Sequence, residues 1–303
     1  LPPVHATESP ALSAEYLRAA FDVNIRGCRL TDVVRQANDS GILYNATLLR
    51  EKLNAGDIAF PFFSRKPFDD FVRVPGNELE DLLYDLYSHY DCDDIVTVTR
   101  SNKRAYLFNC EIRNRILYRE NRIATGDYLM AVKNNYFWIE EDSEIGFIAN
   151  GDIMEVMAIR KQQELYGFHF ADITVRFCDY PDHPDIDIKI ILESLEVEAP
   201  SLPFEESRKL YAAIAEDYAD IANKRLRFLK IKNDPYLNAV QVKFAYSLTC
   251  HKTQGGQWRH VLVDQGYLME DNLDKEYVRW LYTAVTRSTD KVYLINFKDE
   301  LFE

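Results

Sequence analysis

Short apolar runs separated by helical stretches constrain this chain more than any other feature. Asp94-Ile95-Val96-Thr97-Val98-Thr99 is β-branched and does not alternate, which is the pattern of a buried parallel strand. It runs into Ser101-Asn102-Lys103-Arg104-Ala105, which opens a helix through about Arg115. A strand, a turn with Ser and Asn and then a helix N-terminus presents backbone N–H groups to a phosphate. Phe244 to Leu248, His260-Val261-Leu262-Val263-Asp264 and Lys291 to Asn296 are further strands of the same sheet. Helices are predicted over Ser13–Phe21, Ile42–Leu53, Glu78–His89 and Leu273–Val285, the last with Tyr277, Trp280, Leu281 and Ala284 facing the core.

A second pattern interrupts the first. Gly126-Asp127-Tyr128-Leu129-Met130 and Asn150-Gly151-Asp152-Ile153-Met154 are Gly-Asp turns leading into short alternating strands, followed by strand-like runs at Ala171–Phe177 and Ile186–Leu195. Closely spaced short strands predict a small β-barrel. Glu205 to Leu229 reads as one long helix, with Leu210, Ile214, Tyr218, Ile221 and Leu226 on one side.

The 303 residues are enough for two domains, or for one domain with an insertion. No apolar run is long enough to span a bilayer, so no membrane role is expected. Cys28, Cys92, Cys110, Cys178 and Cys250 are scattered and odd in number, without a C-x-x-C pair. That favours reduced thiols in a cytoplasmic protein over a disulfide frame or a zinc site. A net charge of −13 argues against a general nucleic-acid coat. The charge is unevenly placed: seven bases against two acids from Arg100 to Arg122, and twelve acids against four bases from Arg176 to Ile221. The basic segment is the one expected to face a phosphate backbone. Asp179, Asp182, His183, Asp185 and Asp187 form an oxygen-rich cluster, but the spacing fits no EF-hand loop and we expect no metal there.

Two segments carry chemistry. Leu248-Thr249-Cys250-His251-Lys252-Thr253-Gln254-Gly255-Gly256 follows a strand, and Leu281-Tyr282-Thr283-Ala284-Val285-Thr286-Arg287 closes a helix. The pair resembles motifs V and VI of superfamily 1 helicases, closest to the RecD-like and UvrD-like C-terminal domains. Thr31-Asp32-Val33-Val34-Arg35-Gln36 with Asp39-Ser40-Gly41 resembles motif IV of the RecD-like group, and Ser101-Asn102 stands where that family has motif IVa. Leu1-Pro2-Pro3-Val4 is similar to the tail of motif III. No G-x-x-x-x-G-K-[ST] phosphate loop occurs in the chain. With no initiator Met at the start, we therefore expect the second half of a motor separated from its first.

The resemblance implies a fold and roles. The fold is α/β: a RecA-like parallel-sheet domain of the P-loop NTPase type over 1–125 and 242–303, with an inserted SH3-like β-barrel domain and an added helix over 126–241. Arg287 is the catalytic arginine that completes the ATP site, because a guanidinium stays protonated and offers a planar fork of donors to phosphoryl oxygens. Arg35 is a second catalytic cation near the γ-phosphate. Gly255, Gly256 and Gln257 reach the nucleotide. Gln257 stands where many relatives have an acidic residue against the ribose, which leaves ribose recognition in doubt. Thr249, His251, Thr253, Gln254, Ser101, Asn102 and Lys103 contact nucleic acid; Ser101 or Asn102 can equally cap the helix. The implied cofactors are ATP and Mg2+, with the Mg2+ ligands in an N-terminal RecA-like domain of the same protein. The implied partner is single-stranded DNA, and RecBCD-type partner chains are an open question. The implied activity is ATP-driven translocation with duplex unwinding, 5′ to 3′ by analogy, in DNA repair or recombination. This piece alone is expected to be inactive. A non-catalytic nucleic-acid-binding or scaffold module of helicase-like fold is the alternative. A nuclease subunit is a third reading, with no nuclease motif to support it.

Overall fold

The computed structural model describes residues 9–28, 40–56, 61–65, 67–140, 142–267 and 274–302. Arg35 and Leu1–Val4 lie outside the described residues. Helix α1 (Ala14–Phe21) starts at Ser13, whose side chain accepts from the Tyr16 N–H. Helix α2 (Gly41–Ala55) starts at Ser40 in the same way and ends at Gly56, which takes φ 72°. Strand β1 (Phe71–Val74) precedes α3 (Leu79–His89), β2 (Ile95–Thr99) and α4 (Asn102–Glu111), which is extended by a π turn over Ile112–Ile116.

Five strands then close a barrel: β3 (Tyr128–Ala131), β4 (Ile153–Leu165), β5 (Phe168–Phe177), β6 (Ile186–Ile191) and β7 (Val240–Phe244). Neighbours pair antiparallel except β6 and β7, which run parallel. A parallel pair cannot be joined by a tight turn, so the chain must cross back. Residues 192–239 make that crossover, carrying α5 (Glu193–Glu196), α6 (Phe204–Asp217) and α7 (Lys224–Lys232). The single long helix expected over Glu205–Leu229 is thus two. The break is local: Asn223 caps α7 by accepting from the Arg225 and Leu226 N–H groups, and the Tyr218 hydroxyl donates to Asp234 across 2.8 Å. Strand β6 also stops at Ile191, short of the expected Leu195, because Glu193–Glu196 turns helical.

The chain returns to the first sheet through β8 (Ser247–Thr249), β9 (Trp258–Asp264), α8 (Lys275–Val285) and β10 (Ser288–Ile295). The sheet order is β1-β10-β9-β2-β8, all parallel. Strand β2 is buried along its whole length, as its unbroken apolar pattern requires. Phe244, expected to begin the return to this sheet, instead ends barrel strand β7.

Two cores divide the sheet faces. One packs α2 and α8 against Val96, Val98, Val261, Val263, Val292 and Leu294. The other is continuous from α3, Ile95, Leu262 and Ile295 into the barrel interior at Leu129, Met154, Val156, Ile173 and Val175. The barrel therefore has no separate core of its own.

Buried Asp127 reinforces the joint. It accepts two bonds from Arg113 (3.0 and 2.9 Å), one from Arg119 (3.0 Å), one from the Tyr246 hydroxyl (3.0 Å) and one from the Ala124 N–H (2.8 Å). These groups come from the π turn, the entry to β3 and the β7–β8 connection. The basic segment is therefore not the phosphate-facing surface expected of it. Arg113 and Arg119 turn inward to Asp127, Arg104 pairs with Asp264, Arg115 with Glu80 and Glu111, and Arg122 with Glu193 and Glu196. Two of those partners, Glu193 and Glu196, come from the acid-rich segment that was expected to point away.

Candidate nucleotide and nucleic-acid site

The two carrier segments meet at the loop after β8. In a parallel sheet, Thr249 pairs in register with Thr99, and Thr99 with Asp264, so all three mark the carboxyl edge. The loop leaves that edge at Thr249 and enters β9 at Trp258, on the amino edge. Trp258 and Asp264 are six residues apart along one strand, so the loop travels about 20 Å between opposite edges of the sheet.

The carboxyl-edge end holds Thr249, Ser101 and Asn102. Thr249 and Asn102 line one small cavity with Tyr106, Met130 and Lys243. Ser101 is the N-cap of α4, its hydroxyl accepting from the Arg104 N–H across 3.2 Å. Lys103 is exposed and lies 3.6 Å from Glu198, a surface pair that leaves its ammonium in water. Lys243 was not anticipated. Burial pushes its ammonium down to about 8, and it donates to the Val197 carbonyl beside this cavity.

The middle of the loop folds on itself. Thr253 is fully buried and donates to the Cys250 carbonyl across 2.9 Å, so its hydroxyl closes the turn and faces no solvent. Its N–H and that of Lys252 both point to the Thr249 carbonyl, at 3.2 and 2.8 Å. Lys252 reaches out to the Asn150 side chain, and burial lowers its pKa. His251, Gln254, Gly255, Gly256 and Gln257 line a cleft of about 860 Å3 between the loop and the barrel.

Asp93, Asn150, Cys178 and Asp179 complete that cleft and were not singled out in the sequence, where they are scattered through three separate segments. Burial pushes the Cys178 thiol up to about 12 and raises the Asp93 carboxyl. Of the oxygen-rich cluster, Asp185 is held by Arg176 and Asp187 by Arg160 and Thr174. No group of His, Cys, Asp and Glu able to hold a metal occurs among the described residues.

The amino-edge end holds the glycines and Arg287. Gly255 adopts φ 93° and has open space where a side chain would stand. Gly256 is different: a Cβ there would fall 2.5 Å from Cη2 of Trp258. Arg287 is half-buried and donates from Nε to the Thr283 carbonyl (3.0 Å), from Nη1 to the Gly256 carbonyl (3.2 Å) and from Nη2 to Thr286 Oγ1 (3.3 Å). Its own carbonyl accepts from the Trp258 N–H at 3.0 Å. The structure thus brings Gly255, Gly256, Gln257 and Arg287 together at one edge, with Ser101, Asn102 and Thr249 at the other. Among the described residues no helix is long and apolar enough to cross a membrane.

Comparison with known proteins agrees on where the chemistry sits. Residues 244–295 match the model of the UvrD-like helicase C-terminal domain. DNA helicase B of Mus musculus is 30% identical over 136 residues, covering 40% of this chain and 11% of that protein. The Pif1 helicase of Bacteroides in complex with ADP-AlF3 and ssDNA aligns over 90% of this chain and 52% of its own at 12% identity, with a TM-score of 0.45. The Pif1 helicase of Candida albicans aligns over 89% and 56% at 10% identity, with a TM-score of 0.41. This chain spans about a tenth of the curated relative and about half of these structures. The loop, α8 and β10, which hold the two chemical segments together, are those of a UvrD-like helicase C-terminal domain of superfamily 1.

Proposed function

We propose that this chain is the C-terminal motor domain of an ATP-dependent DNA helicase. The observation that carries the reading is the path of residues 249–257. One end offers Thr249 beside Asn102; the other offers Gly256, bonded to Arg287. A loop so placed can report the presence of a phosphate backbone at one sheet edge to a nucleotide at the other. ATP with Mg2+ supplies a phosphoryl group whose transfer spreads negative charge over its oxygens. Of this chain's residues, Arg287 would face those oxygens, Gln257 would hydrogen-bond the ribose, and the exposed backbone at Gly255 would permit close approach. The phosphate-binding lysine and the Mg2+ ligands belong, on this reading, to an N-terminal RecA-like domain of the same protein. Single-stranded DNA is the track, with 5′ to 3′ movement by family analogy.

Residues 1–125 and 242–303 would form the second RecA-like domain, and 126–241 an SH3-like insertion. Alone, this chain would not turn over ATP. The test is ATP hydrolysis by the full-length protein with and without single-stranded DNA, beside Arg287→Ala. Stimulation by DNA that collapses in the variant supports the motor. A folded protein with no hydrolysis under either condition sinks it and favours the scaffold module.

A further inference from the structure

Helix α7 is the least explained element of the fold. Its sequence, KRLRFLKIK, puts five cations into nine residues of a chain with net charge −13. Only Ile231 is buried, against the Leu210, Ile214 and Ala239 cluster. Leu226, Phe228 and Leu229 are exposed. The cations of Arg100–Arg122 pair widely with carboxylates, whereas none of Lys224, Arg225, Arg227, Lys230 and Lys232 has one within ion-pair distance among the described residues.

This arrangement costs the helix stability. Its first turn carries Lys224, Arg225 and Arg227 and no acid, opposing the positive end of the macrodipole. Arg227 and Lys230 repel at i, i+3, as do Lys224 and Arg227. Folding alone gives no reason for such charge, so a polyanion outside the chain is the natural counterpart.

We propose that α7 is a second contact for the phosphodiester backbone of nucleic acid, separate from the loop at 249–257. This inference rests on the DNA reading above. The cations lie on several sides of the helix, which suits a line of phosphates rather than one carboxylate groove. Exposed Phe228 among them offers a ring face to an unstacked base. At about 1.5 Å per residue α7 is some 13 Å long, enough for two or three phosphates.

The experiment measures binding of a 20-nucleotide oligo-dT and a 20-base-pair duplex to the full-length protein across a salt series. The variant carries Lys224→Gln, Arg225→Gln, Lys230→Gln and Lys232→Gln. At about 0.7 to 0.9 per phosphate contact, the log–log salt slope should fall by about 2 to 3 for the strand that α7 engages. Removing four charges elsewhere, at Lys161, Lys209, Lys275 and Lys298, should leave it within about half a unit. Restoring charge with Lys224→Arg, Lys230→Arg and Lys232→Arg keeps the slope. Phe228→Ala should weaken oligo-dT about tenfold and the duplex little, if a single strand is the ligand; loss of slope on the duplex alone assigns α7 to double-stranded DNA. An unchanged slope on both overturns the inference, as does a variant that loses only binding to a Glu-rich peptide. Wild-type protein that binds neither oligonucleotide overturns the DNA reading itself.

Discussion

Arg287 donates from Nη1 to the carbonyl of Gly256 across 3.2 Å, while the N–H of Trp258, two residues on, donates back to the Arg287 carbonyl at 3.0 Å. The guanidinium is therefore positioned by the same loop whose far end stands at the opposite sheet edge. Any shift of that loop moves the arginine.

Replacing Arg287 separates rate from folding. In the full-length protein, Arg287→Ala should lower DNA-stimulated ATP hydrolysis by about 10³-fold or more, with oligo-dT affinity within about threefold. Arg287→Lys should recover little, because an ammonium lacks the planar fork that bonds Gly256 and Thr286 together. Steady-state hydrolysis beside fluorescence anisotropy reads both.

Gly256→Ala should destabilise by about 1–3 kcal/mol, since its new methyl meets the Trp258 ring at 2.5 Å and Trp258 is buried. Trimming the ring with Trp258→Leu should give back part of that loss in the double variant. Urea midpoints of the four proteins complete the cycle; additive losses would refute the clash.

Asp127→Asn should cost about 3–5 kcal/mol, because it leaves the buried Arg113 guanidinium without its counter-charge. Arg113→Met with Asp127→Leu should restore much of the stability. Thermal melts check both, and a single variant within 1 kcal/mol of wild type, on the order of measurement error in such mutants, would remove Asp127 from the joint.

His260 supplies a pH dependence. It is buried, neither ring nitrogen has a hydrogen-bond partner among the described residues, and Tyr90 packs on it at a centroid distance of 4.0 Å. Burial lowers its folded-state pKa below the ordinary 6.5. The unfolded chain therefore binds the proton more readily. The contribution is full above about pH 6.5 and declines as pH falls from there through the folded-state value. His260→Leu should flatten that part of the stability profile, measured by urea unfolding between about pH 7.5 and 5.

Much of this fold is legible in the sequence because its signals are local. The apolar run at Ile95–Thr99 can only be comfortable in the middle of a sheet, and α3 and α8 carry their apolar faces at helical spacing. The Gly-Asp turns announce β3 and β4. What is illegible depends on partners far along the chain. The basic segment looks like a phosphate surface until Asp127, Asp264 and Glu196 are seen to take its guanidinium groups. The break before α7 rests on one capping Asn in an otherwise helical pattern. At the site, motif order named Arg287 and Gly256 as functional, but that they touch follows only from strand register. Thr253 looks like one more hydrogen-bonding residue of the loop, and only folding shows its hydroxyl turned inward.

The continuous core between sheet and barrel has a mechanical meaning. An insertion that shares its interior with its host, and is riveted to it through Asp127, adds mass without adding a hinge. Whatever displacement the sheet undergoes, the barrel and the crossover that bears α7 must make it too. A rotation that is small at Arg287 then becomes a longer arc at the rim, in the way that an oar blade travels farther than the rower's hand.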